Sequence, residues 1–163
     1  GNLQTRTGNE ALQFLPTVIQ FGPPLNFLKW IPDSCHVVSV PQKGRIFQIK
    51  SIGGNLYDSS NPKYHSKPIS HIEVSPTCIV TADESGEISL WEISKGKLKI
   101  EPHYVNSQFS QTSGIVTSLC LGAMNKVLLV GRPTQIEIYR KDSEKVQFVL
   151  QPPISLQNEQ LTS

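Results

Sequence analysis

A chain of 163 residues is long enough to bury a core of its own, and 37% apolar with 17% charged residues is the balance of a folded globular protein rather than a disordered one. A formal net charge of +2 excludes a strongly basic nucleic-acid footprint. No apolar run reaches the roughly 18 residues of a membrane-spanning helix, and Cys35, Cys78 and Cys120 are too few and too scattered for a disulfide framework, which favours a reducing intracellular compartment, cytoplasm or nucleus.

Residues 1–10 are polar, lack the basic-then-apolar layout of a signal peptide, and read as a flexible N-terminus. The first residue is not Met, which fits either a recombinant product or a piece of a longer polypeptide. Leu12, Phe14, Leu15, Val18 and Ile19 around Pro16 read as an edge strand, where Pro is tolerated. Phe21-Gly22-Pro23-Pro24 then turns the chain. Strands are expected over 25–31, 36–40 and 45–52, separated by turns at Pro32-Asp33-Ser34 and Pro41-Gln42-Lys43-Gly44. In the first of these Leu28 and Trp30 share one face and Phe27 and Ile31 the other. Trp30 is expected in the core, where a large apolar ring is most often found. A short outer strand is expected at Leu56-Tyr57.

The most regular stretch is PISHIEVSPTCIVTADESGEISLWEI, residues 68–93. Ile72 and Val74 alternate with polar neighbours at the two-residue period of a strand, and Ser75-Pro76-Thr77 breaks it. Ile79 to Ala82 is a second apolar run. Asp83-Glu84-Ser85-Gly86 reads as a turn in which Gly86 is free to take a positive φ. In the third run Ile88 and Leu90 point one way, Trp91 and Ile93 the other, so the strand should be covered on both faces. An outer strand follows over 97–105, then a polar loop over 106–114. A third set of strands is expected over 116–121, 127–130, 135–140 and 146–150, and residues 152–163 read as a C-terminal tail. No segment carries the apolar spacing of a helix over enough turns.

The stretch that begins at His65, HSKPISHIEVSP, with the Ser75-Pro76 corner, the turn glycine Gly86 and Trp91 five residues later, resembles one repeat of the WD40 family of β-propellers. Glu92 stands where the family has the Asp of its name-giving dipeptide. The resemblance implies an all-β fold, a WD40-like β-propeller portion of about three four-stranded blades within residues 11–151, with repeats near 25–58, 67–105 and 115–151. Ile49, Trp91 and Tyr139, 42 and 48 residues apart, are taken as equivalent, close to the ~40–45-residue period of such repeats. It further implies structural roles for His65, Thr81, Ser85, Gly86 and Trp91. The family joins His, a strand hydroxyl, Trp and an Asp before the turn glycine. Here Ser85 occupies that Asp position, and a neutral hydroxyl does not orient a histidine as a carboxylate can, which argues against an intact network.

The chemistry-bearing residues favour binding over catalysis. No P-loop, dinucleotide fingerprint or nucleophile elbow occurs, and no cofactor is expected. His65 falls on a structural position of the resemblance. Cys35-His36 lacks the further ligands of a zinc site, so no metal is expected. Asp83 and Glu84 read as solvated turn carboxylates. Lys95, Lys97 and Lys99 read as a solvated edge that discourages sheet pairing. By analogy with the family, the turns between second and third strands face one mouth, which would place Gln42, Lys43, Glu84, Arg132 and Thr134 on a partner-binding surface. The expected function is a non-catalytic protein-interaction scaffold. The alternatives are a propeller that binds a small ligand or phosphorylated partner at its mouth, and an enzyme with a channel-mouth site. Because three blades cannot close a ring, the sides carrying Phe27, Trp30, Leu128 and Tyr139 are expected to be covered by another copy, another chain or a parent segment. Neither a membrane nor a nucleic-acid partner is expected.

Overall fold

The computed structural model describes residues 22–52, 56–57, 64–95, 100–105, 109, 114–122, 124–142 and 148–152. The expected strand at 11–20, the two termini, and Lys97 and Lys99 lie outside the described residues. The first sheet holds β1 (Leu25–Trp30), β2 (His36–Pro41), β3 (Gln48–Ser51) and β4 (Leu56–Tyr57), in that order. The second holds β5 (Ile69–Val74), β6 (Cys78–Asp83), β7 (Ile88–Lys95) and β8 (Ile100–Val105), and the third β9 (Ser118–Gly122), β10 (Val127–Gly131), β11 (Ile136–Lys141) and β12 (Phe148–Leu150). Every pairing is antiparallel between sequence neighbours. No helix occurs among the described residues, so none there is long and apolar enough to cross a membrane.

Local chemistry sets the corners. At the β5–β6 corner the Ser75 amide donates to the Cys78 carbonyl at 2.8 Å, and the Ser75 Oγ accepts from the Cys78 amide at 2.9 Å. The equivalent β1–β2 corner closes with Ile31 N–H to the His36 carbonyl at 2.9 Å and carries Asp33 at a φ of 57°. A short polar side chain tolerates that left-handed backbone better than most. Met124 and Asn125 take φ values of 56° and 67° at the β9–β10 corner.

Alternation along the strands gives each sheet two faces, and the three sheets stack through them. On the second sheet Ile79 and Trp91 face the first, where they meet Val38, Val40, Phe47 and Ile49. Phe47 and Trp91 meet edge to face at 4.9 Å. The other face, Val80, Ala82, Ile88 and Leu90, packs on Leu128, Val130 and Tyr139 of the third sheet. The expectation that this middle unit is covered on both faces therefore holds, and every residue of β6 is buried. At the inner edge β5 lies beside β1 on one side and β9 on the other.

Three sequence expectations change. Trp30 is not in the core: it is 49% exposed, because it pairs with Val37 on the side of the first sheet that faces away from the second. Ile49 is not the counterpart of Trp91. The bond from Ile52 N–H to the Cys35 carbonyl matches that from Ile93 to Thr77, which aligns Lys50 with Trp91 and Ile49 with Leu90. The β2–β3 connection is one residue longer than β6–β7: Val38 pairs with Ile49 but Val80 with Leu90. Counting from the turn glycine hides that insertion. Leu128 and Tyr139, expected on an open side, are both 0% exposed.

Candidate functional site

The turns between second and third strands gather at one rim. The Gly44 carbonyl accepts from Ile69 N–H and the Arg45 carbonyl from His65 N–H, both at 2.8 Å, which sets the β2–β3 turn against the segment leading into β5. The Pro68 carbonyl accepts from Glu84 N–H at 3.0 Å, which brings the β6–β7 turn to the same place. Arg132 carries the rim onward. Its Nη1 donates to the Gly114 carbonyl at 2.7 Å and to the Gly86 carbonyl at 3.3 Å. Gly86 is required twice over: its φ is +91°, and a Cβ there would sit 2.2 Å from the Gly114 oxygen.

Beneath the middle turn lies a closed polar network. Trp91 Nε1–H donates to Thr81 Oγ1 at 3.3 Å; Thr81 Oγ1 lies 2.6 Å from His65 Nε2; His65 Nδ1 lies 3.2 Å from Asp83 Oδ2. One proton arrangement satisfies all of them. The indole N–H donates to Thr81 Oγ1, the Thr81 hydroxyl donates to His65 Nε2, and His65 Nδ1–H donates to the Asp83 carboxylate. On its other oxygen Asp83 accepts from Ser85 N–H at 2.9 Å, Ser85 Oγ–H at 2.5 Å and Glu87 N–H at 3.1 Å. Burial pushes the Asp83 carboxyl up, but the hydrogen bonds from Ser85 and Glu87 and the adjacent His65 outweigh it and hold the group below its ordinary value of 3.8.

The carboxylate missing at position 85 is therefore supplied by Asp83. The reading of Asp83 as a solvated turn group fails, since it ends β6 and is 0% exposed. A signal was present: Thr81 and Asp83 alternate onto one strand face, and Asp83 stands three residues before Gly86, the spacing of a side chain that caps its own turn. Ser85 keeps a structural role as a donor to that carboxylate.

The third sheet does the same work with other residues. Tyr139 takes the place of Trp91 and donates its hydroxyl to Glu137 Oε2 at 2.7 Å. Arg132, which takes the place of Asp83, donates through Nε to Glu137 Oε1 at 3.1 Å. Arg132 is 6% exposed, so it fastens the rim rather than projecting from it.

What the rim presents is Gln42, Lys43, Glu84 and Thr134, all exposed. Lys43 is held at a φ of 57°. Tyr64, Arg45 and Lys67 are exposed beside them and were not singled out by sequence. Thr81, His65 and Asp83 have the order of a nucleophile, base and orienting acid, yet they are 0%, 2% and 0% exposed, and no substrate reaches a hydroxyl so placed. His65, Asp83 and Glu87 bring three potential ligand atoms within 4.8 Å. Both imidazole nitrogens already serve Thr81 and Asp83, so the cluster reads as structure rather than as a metal site. Cys35 Sγ lies 3.8 Å from His36 Nδ1, and burial lowers the His36 pKa. Cys78 is buried, which raises its thiol pKa and removes it from reach.

No protein-family model matches this chain, and no curated protein matches it either.

Proposed function

We propose that the chain is a non-catalytic protein-interaction scaffold, a three-blade portion of a WD40-like β-propeller that works inside the cell and offers one rim of turns to protein partners. The observation that carries this reading is the rim itself: three turns of different sequence, fastened to one another by hydrogen bonds at Gly44, Arg45, Pro68 and Arg132, with Gln42, Lys43, Glu84 and Thr134 left exposed. A rigid frame that presents variable turns suits recognition, because the loops are positioned before the partner arrives. The sheet order repeats three times and the first strands lie side by side, as radially arranged blades require. The titratable groups grouped like a catalytic site are sealed beneath the turn. Replacing Gln42, Lys43, Glu84 and Thr134 together by Ala should remove protein partners from a pull-down without changing the melting temperature. An unchanged partner set would refute the reading.

A further inference from the structure

Charge is not spread evenly over the three turns of the rim. Lys43, Arg45 and Lys67 are exposed where the first turn meets the segment leading into β5. They are gathered there by the bonds from Ile69 N–H to the Gly44 carbonyl and from His65 N–H to the Arg45 carbonyl, which set residues 44–45 against residues 65–69. None of the three forms an ion pair with a described residue. The nearby carboxylates are directed elsewhere. Asp83 is 0% exposed and turns its oxygens to Ser85, Glu87 and His65. Glu87 is half-buried, and its Oε2 lies 3.4 Å from Ser66 Oγ. Glu84, on the middle turn, is the one exposed carboxylate among the described residues of the three turns. At the third turn the surface changes character. Arg132 is buried, while Pro133, Thr134 and Gln135 are exposed and uncharged. Gly114 backs onto Pro133, so that a Cβ there would stand 3.8 Å from the proline Cδ, and the next residue, Ile115, is 54% exposed. Residues 106–115 contain no charged side chain.

We infer that the rim takes a peptide segment of a protein partner that is acidic where it crosses the first turn and apolar where it reaches Ile115 and Pro133. The inference rests on the scaffold reading and supplies the chemistry of the partner. Three like charges gathered at one seam repel one another, and carboxylates of a bound segment relieve that repulsion where the described residues do not. A basic segment meets the opposite and is rejected there. Glu84 limits the acidic stretch to one end, because a carboxylate carried on over the middle turn would face it. Tyr64, 55% exposed beside the cations, offers a ring against which the stems of the acidic residues pack. The spacing follows from the stack. Sheets packed face to face lie about 10 Å apart, so the first and third turns are about 20 Å apart, the reach of about six extended residues. The rim therefore reads a segment in one direction, acid first and apolar second.

The test is selection of peptides from a phage-displayed random library, long enough to cross the rim, against the purified full chain. The expected pool carries Asp or Glu at one end and an apolar residue about six positions away. Selection against the variant Lys43→Glu/Arg45→Glu/Lys67→Glu should yield Lys or Arg in place of the acids, and the acidic peptides should bind that variant at least about tenfold more weakly. All three side chains are exposed, so its melting temperature should stay that of the wild type. Should the reversal unfold the chain, Lys43→Gln/Arg45→Gln/Lys67→Gln removes the charge without inverting it, and the same weakening is expected. A pool without acidic bias, the same pool from wild type and variant, or retention of the chain on phosphatidylserine vesicles through these three cations would overturn the inference. The variant with Gln42, Lys43, Glu84 and Thr134 replaced by Ala separates the two readings. Peptides that bind it as well as they bind the wild type would remove the rim itself. Peptides that need the rim but are basic or uncharged would remove only the acidic partner, and an empty selection would count against both.

Discussion

Asp83 is the residue on which the middle turn depends, and Asp83→Asn isolates its charge. The carboxylate is 0% exposed and accepts from Ser85, Glu87 and His65. Asparagine keeps the shape and one acceptor oxygen. Its bonds to Ser85 and Glu87 then fall from charge-assisted, about 1.5–3 kcal/mol each, to neutral, about 0.5–1.5 kcal/mol, and its NH2 group meets the N–H of His65 Nδ1. A net loss of about 2–3 kcal/mol at pH 7 is expected. Asp83→Ala, which also leaves the Ser85 and Glu87 amides without an acceptor, should cost about 3–5 kcal/mol. The pH dependence gives a second signature. The folded carboxyl titrates below its ordinary value of 3.8, so its contribution is complete above that value and is lost as pH falls through the lower folded value. Urea denaturation at steps from pH 7 to pH 3 should show the gap between wild type and Asp83→Asn narrowing at the acid end. A loss under about 0.5 kcal/mol at pH 7, or a gap that stays constant with pH, would refute the assignment of Asp83 as the ionised anchor of the turn.

Trp91→Ala should cost about 3–5 kcal/mol, since the indole is 1% exposed against Phe47; a calorimetric shift of under a degree or two would show that the ring is not packed there. Ser85→Asp should destabilise by about 1 kcal/mol, because it removes a donor to Asp83 and sets a second carboxylate beside the first; a melting temperature equal to or above wild type would contradict the network. Glu137→Ala should cost about 3–5 kcal/mol by leaving the buried Arg132 guanidinium without its carboxylate. Replacing Arg132 and Glu137 together by Leu should cost less than Glu137→Ala, and a double variant no better than the single one would place the loss in packing rather than charge.

Much of the sheet order was legible because alternation and corner chemistry are local. Strands β5 to β7 followed from Ile72/Val74, the Ser75-Pro76 corner and the split faces of residues 88–93, each within a few residues of the next. What was not legible depended on partners far along the chain. The exposure of Trp30 turns on whether anything covers the outer side of the first sheet, and no local pattern carries that. The misalignment of Ile49 with Trp91 came from one extra residue in a turn, which shifts a strand's faces while leaving its composition intact. The burial of Arg132 required knowing that Gly86, Gly114 and Glu137 converge on it, across separations of 46, 18 and 5 residues. A rim residue and a buried fastening look alike in sequence when both are charged and sit in a turn.

The three sheets solve one problem at one position with different chemistry. At equivalent positions beside the turn stand Pro41 and Asp83, which end β2 and β6, and Arg132, the residue after β10. Asp83 accepts from the backbone that leads into its own sheet, through Lys67 N–H at 3.4 Å. Arg132 donates to the backbone that leads into its sheet, through the Gly114 carbonyl at 2.7 Å. One clamp is an acceptor and the other a donor, and each finds its side-chain partner on a different strand or segment: His65, which donates to Asp83, precedes its sheet, whereas Glu137, which accepts from Arg132, lies on the third strand of its own. The first sheet uses neither: its turn is tied to the segment leading into its own sheet by the backbone, Gln42 N–H donating to the Pro24 carbonyl at 2.8 Å. What the fold demands here is a satisfied hydrogen bond between turn and leading segment, not a residue type. That is why the polarity of the clamp reverses from one sheet to the next while the register of the strands around it stays the same. It also means that acid weakens the second sheet's clamp through the titration of its own carboxylate, whose stabilising contribution is lost as pH falls through its lowered folded value.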